Sequence, residues 1–510
     1  MTTLSDRRGF LKQSAATAAV VGLGDVGPLS SSSPARAAQA KPAVMKIHFD
    51  PDTDRLAQLI QRTPRDRAIP VMVEQLRKGL SHRRFMAALL RTAMRYNQRG
   101  HQILVAHSVH QLSLDLGRKE QFLPLFWHLH NVKRSYLSNR DRPELDWIKG
   151  PLPPPDKAVA LLDAAYRHKD REAVNLAIIS LSRSEGPRAA FQRLWRYGSN
   201  DSSIGHTIIS VSNVYRTLEA IGWQDAETAL RVCATKCIKD VGDLDRANAV
   251  RASQATDQLP ADWAGSRSEK GAVLELIAMF REGRANVACK SICQQLLSGK
   301  VHAGAVWDAI FLTTNELSVR FKWGGLLETG RSRHSITGTN ALHCAFRTHS
   351  DPEVRLYALL QAVAMTCSFI AIPRADGLLN DFKITEITET EGPNSDEDAV
   401  DEIFSLLPPR RSQHAFRDRS GQDRALELTY AMAQQHSDQR FLQTARRLLC
   451  LKSTIDAHDV KFAVACFESY RYLSEEWRPN YLAASVFLLH GTQMEDNPAV
   501  QEAREALRVL

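Results

Sequence analysis

Apolar residues recur along the chain three and four positions apart, and strict alternation is scarce. KAVALLDAAY (157–166) and EAVNLAIISL (172–181) each lay an apolar stripe along one side of a helix. PRAAFQRLWRY (187–197) opens with Pro187 at a first-turn position, puts Phe191, Leu194 and Trp195 on one face, and is followed by Gly198 as a stop. Residues 271–280 and 356–364 behave likewise. Hairpin dipeptides between β-branched runs are absent. The pattern predicts an all-α fold, an irregular helical array or bundle of helix–loop–helix units.

Two interruptions divide the pattern. GPLPPPD (150–156) is not compatible with a helix and separates a first helical block, 41–150, from a second, 157–380. Glu386, Glu389, Glu391, Asp396, Glu397, Asp398, Asp401 and Glu402 then crowd one segment, so 381–403 reads as a self-repelling, mobile acidic loop. A C-terminal helical block, 404–510, follows.

One segment repeats. HQILVAHSVHQLSLDLG, after Gly100, aligns without gaps with HTIISVSNVYRTLEAIG, after Gly205. Each copy is a Gly-His start, an apolar helix of about four turns and a Gly stop. Looser echoes begin at His302 (VHAGAVWDAIF) and His334 (HSITGTNALHCAFR), the latter placing His343 in the register of His110 and Tyr215. Helix pairs with a histidine at the second helix's entry fit degenerate repetition.

The histidines are the candidate chemistry. At 100° per residue, His107 and His110 lie about 60° apart on one face, whereas His101 lies about 120° from His107. His101 joins other histidines only from the loop-to-helix transition that Gly100 allows. Neutral imidazoles from several helix entries would bind a metal ion or move protons at neutral pH. His101, His206 and His343 are the expected catalytic groups, and His107, His110 and His302 the expected metal ligands. Tyr215, Asn340, His334 and Asp308 are the expected pocket neighbours. The competing reading for each histidine is a core ring with its nitrogens satisfied by backbone carbonyls. No H-E-x-x-H, G-x-S-x-G, P-loop or EF-hand pattern occurs.

The N-terminus is the most specific signal. SDRRGFLK (5–12), with Arg7 and Arg8, resembles the twin-arginine export signal. A short apolar run follows, then small-residue cleavage candidates near 37–40, so 1–40 reads as a signal peptide. The resemblance implies the twin-arginine translocase as partner and a periplasmic or extracellular location. It also makes the G-x-G-x-x-G match at 22–27 a coincidence, because no strand precedes it. No later run is expected to anchor the chain in a membrane. The net charge of +9 is spread out and not interleaved with stacking aromatics, so nucleic acid is not expected as a partner. The eight cysteines include two i, i+4 pairs but no C-x-x-C, and read as small buried apolar residues.

GHQILVAH, GHTIISVS and RHSITGTNALHCAFR resemble segments of the questin-oxidase-like family, all-helical proteins that carry out Baeyer–Villiger-type ring oxidation with NADPH. The resemblance covers about a third of the chain, within 99–135, 187–240 and 302–367. It implies that His101, His206, His334 and His343 line a pocket. It also implies NADPH, which an exported chain meets only sparsely; a metal ion is the other cofactor expected. The functional expectation is an oxidoreductase acting on an apolar or aromatic small molecule. The alternative is a non-catalytic helical-repeat scaffold binding a component of the cell envelope.

Overall fold

A computed structural model describes residues 51–96, 100–114, 116–139, 148, 150–201, 204–224, 226–322, 326–388, 395–408, 419–435 and 438–508. The segment with the twin-arginine motif, Arg7 and Arg8, lies outside the described residues. The fold is all-α. Helix follows helix from Pro51–Arg62 to Pro498–Leu507, and among the described residues the only β pairing is an isolated bridge between Phe321 and Leu379.

The proposed blocks share one core. Apolar side chains from Leu56 to Leu507 form a single continuous cluster, so neither the proline-rich break nor the acidic segment separates one core from another. The acidic segment is not all loop. Ser395 caps a helix, Asp396–Leu406, by accepting a hydrogen bond from the Asp398 amide at 3.2 Å. Glu397 and Asp398 sit in its first turn, where negative charge complements the helix dipole, and Glu397 pairs with Arg440 at 2.6 Å. For Glu397 and Asp398, acidity that reads as self-repulsion in the sequence is N-terminal charge on a helix, while Glu389 and Glu391 lie outside the described residues.

Two long helices run through the interior, Ala303–Arg320 and Pro352–Ala375. Both are buried on most sides; Pro352–Ala375 is apolar around most of its circumference, whereas Ala303–Arg320 also buries Asp308, Asn315 and Glu316. Pro352–Ala375 is long and apolar enough to cross a bilayer, a length the sequence reading did not credit, and it is mostly buried within the protein.

Four helices far apart in sequence come together around a cluster of histidines. They are His101–Leu114, His206–Ile221, Leu326–Thr348 and Ala457–Tyr470. Each packs against the next and the last against the first, giving a four-membered ring of helices. Close approach is secured by glycine. Gly205 has φ +78°, and a Cβ there would lie 3.1 Å from Met365 Cε and 3.4 Å from Gly338 Cα. Gly338 itself leaves room for the Met365 sulfur. The Leu326–Thr348 helix therefore passes close to the start of the His206 helix.

Candidate metal centre

Four histidines meet inside that ring, one from each helix. Ligand nitrogens of His101, His206, His334 and His458 all lie within 4.8 Å of one another. The rings follow the same circuit as the helices. Centroids are 5.4 Å apart for His101–His206, 4.8 Å for His206–His334, 5.1 Å for His334–His458 and 4.6 Å for His458–His101. His101 and His206 are the first residues of their helices and His458 the second of its own. His334 lies well inside its helix, which begins at Leu326, so its expected place at a helix entry is corrected.

The nitrogens lie close enough together to hold an ion. A tetrahedral ion about 2.0–2.1 Å from each imidazole nitrogen sets the nitrogens roughly 3.3 Å apart, within about an ångström or two of what is seen. His206 Nε2 and His334 Nε2 are already 3.0 Å apart. His101 Nε2 is buried and has no hydrogen-bond partner among the described residues. Asp456 caps the last helix by accepting from the His458 amide at 3.0 Å, and also accepts from His458 Nδ1 at 2.6 Å. That second bond fixes the ring and leaves Nε2 for a ligand role, as carboxylates do behind metal-bound histidines.

The electrostatics are uneven. Burial, then the charges of Lys461, His458 and His206, push the His101 pKa down to about 3. Burial, then Lys461 and Lys236, lower His206 to about 4. Both rings are therefore neutral at physiological pH, the form that binds metals. Burial would raise the Asp456 carboxyl, but its bonds to His458 win and hold it at about 2. Lys461, one turn beyond His458, is buried and donates to His334 Nε2 at 3.1 Å; desolvation lowers its pKa to about 7. Beside the cluster lies a cavity of about 360 Å³ lined by His101, Leu104, Arg171, His206, Thr235, Lys236 and Ile238.

Further along the same four helices is a second polar layer. His107 Nε2 donates to Glu468 at 2.5 Å, and Arg216 donates to the other Glu468 oxygen at 2.6 Å. Arg216 also donates to Asn213 at 2.5 Å and to Asn340 at 3.1 Å. Burial would raise the Glu468 carboxyl, but the Arg216 charge and the His107 contacts overcome it and hold it at about 2. Every helix runs from the histidine layer toward this network, so the four are parallel: 101 to 107, 206 to 213 and 216, 334 to 340, 458 to 468.

The remaining expected residues lie elsewhere. The expected metal set of His107, His110 and His302 does not assemble. His107 is held by Glu468, His110 faces His82 at 5.8 Å between ring centroids, and His302 pairs with Asp262 at 3.1 Å. His343 does not join His101 and His206. Its ring is packed against Trp307 (4.6 Å), Tyr472 (4.7 Å) and Phe311 (5.1 Å), and burial pushes its pKa down to about 3. The Tyr215 hydroxyl accepts from Arg188 and Gln192, each at 3.5 Å. Asp308 accepts from the Ser474 amide and hydroxyl at 3.1 and 2.6 Å. Asn340 belongs to the Arg216 network. His458, Asp456, Lys461 and Lys236 were not anticipated. Asp456-Ala457-His458 carries the same signal as the other entries, a histidine in the first turn of an apolar helix.

No family model matches the sequence, no curated protein matches it, and no solved structure matches the fold.

Proposed function

We propose that this is a metalloprotein whose four-histidine centre holds a first-row transition ion and acts on a small molecule entering the adjoining cavity. The observation that carries the reading is the convergence of His101, His206, His334 and His458 from four distant segments. A set of imidazoles without carboxylate or thiolate suits Zn²⁺, Cu²⁺, Ni²⁺ or Fe²⁺ and not the hard ions Ca²⁺ or Mg²⁺. The magnitudes favour binding. Helix N-termini and nearby Lys461 oppose a cation by about 1 kcal/mol per helix end plus a screened charge term. Zinc bound to a full protein ligand set contributes on the order of 10 kcal/mol or more.

The resemblance described above supports an oxidative reaction, with the ion as the redox or Lewis-acid group. Export by the twin-arginine route supports the same reading, since it lets a chain fold around its ion before crossing the membrane. Metal analysis and absorption spectra of protein purified from its native host test the proposal. One ion per chain, lost in both His206→Ala and His334→Ala, is expected. Protein that stays metal-free and gains no thermal stability from Zn²⁺, Cu²⁺, Ni²⁺ or Fe²⁺ would refute it.

A further inference from the structure

The cavity beside the histidines points to the chemical class of the substrate; the argument rests on the metal reading. Its lining contains Arg171 and Lys236 and no carboxylate. Three of its residues, His101, Arg171 and His206, are each the first residue of a helix, so three helix N-termini open onto one space. Asp170 and Asp201 satisfy one amide each at two of those starts, accepting from Ala173 at 3.0 Å and Thr207 at 2.8 Å. Asp201 is also neutralised by Lys239 at 2.8 Å. Asp456 is committed to His458. An ion held by four neutral imidazoles adds two positive charges to this setting. Asp456 behind His458 offsets one of them, and nothing in the ligand set or the lining offsets the other.

We propose that the substrate carries an oxyanion, a carboxylate or phosphate group, which enters between Arg171 and Lys236 and reaches the ion past His101 and His206. The anion balances the charge that the four imidazoles and Asp456 leave uncompensated, and Arg171 and Lys236 orient it. Leu104 and Ile238 supply the apolar wall for the rest of a small molecule. A wholly apolar substrate, the expectation from sequence, would place uncharged surface against the cationic groups of Arg171 and of Lys236, which donates to the Ser210 hydroxyl.

The test uses the full mature chain loaded with Co²⁺, whose visible spectrum reports its ligands, titrated separately with oxalate and inorganic phosphate. Saturable spectral change with at least one anion is expected, with affinity weakened about tenfold or more in Lys236→Met and in Arg171→Gln, and restored in Lys236→Arg. Cobalt content should stay unchanged in all three variants. If cobalt loads but neither anion alters its spectrum at millimolar concentration, the substrate inference is wrong and the metal reading stands. The same holds if the charge-removing variants bind the anions as tightly as the parent. If neither cobalt nor Zn²⁺, Cu²⁺, Ni²⁺ or Fe²⁺ loads, both fall.

Discussion

His128 allows a quantitative test of how the core tolerates its imidazoles. The residue is fully buried in the Leu123–Leu137 helix, between Trp127 and Leu129, and neither ring nitrogen has a hydrogen-bond partner among the described residues. Burial pushes its pKa from 6.5 down to about 3. The unfolded chain therefore takes up a proton that the folded chain refuses. Stability from this group is complete above pH 6.5 and is lost progressively as pH falls from 6.5 toward 3. Between pH 7 and pH 5 the loss works out at about 2 kcal/mol, a sizeable share of a typical domain's 5–15 kcal/mol. Replacing His128 with Leu removes two unsatisfied polar atoms at similar volume. At pH 7 the variant should be as stable as the parent or more so. Urea unfolding of parent and His128→Leu at pH 7, 6 and 5 measures both effects. The parent should lose about 2 kcal/mol more than the variant across that range. Equal losses, or a variant destabilised by over about 2 kcal/mol at pH 7, would show that the ring has partners or titrates normally.

Other predictions concern the bundle. Glu468→Gln leaves Arg216 a buried charge without its counter-ion and should cost about 3–5 kcal/mol in chemical denaturation; adding Arg216→Met should recover part of that loss. The Glu468 carboxyl, held near 2, also contributes stability that is whole above about pH 4.5 and disappears as pH drops from there to 2. Acid titrations of the parent should show a second destabilising phase in that window, and Glu468→Gln should lack it. Gly205→Ala forces a left-handed backbone on a side chain that meets Met365 and Gly338, and should cost about 1–2 kcal/mol or more while loosening metal binding measured by calorimetry. Asp456→Asn, which keeps the size of the His458 partner but not its charge, should weaken metal affinity about 10–100-fold with little change in helix content by circular dichroism.

The helices were legible because their apolar spacing is regular, and the Gly-His entries were legible because they repeat. His101 and His206 are neighbours for the reason the sequence suggested: each begins a helix behind a glycine. His343 misled because helical register says which face a residue occupies, not which helix lies opposite. In the fold that face meets Trp307 and Phe311. His334, nine residues further up the same helix, falls at the crossing that Gly205 and Gly338 permit. Neither the close approach of Met365 nor the ring order of the helices leaves a periodic trace. His458 escaped notice since its helix follows an aspartate cap and not a Gly-His pair, though its first-turn position is the same. From Asp396 on, the acidic segment is helical; charge density alone does not distinguish repulsion from a well-placed helix start.

The spread of the four histidines along the chain has a kinetic meaning. Successive ligands are separated by roughly 100–130 residues, so an ion at the centre closes three long loops at once, and the entropy of closing such loops grows only slowly with their length. A cross-link of this kind restrains an unfolded chain about as strongly as several disulfides would. Synthesis delivers His458 after the other three histidines. On the metal reading the centre closes only when the fourth of these helices is in place, and a bound ion would report that four distant segments have reached their final arrangement.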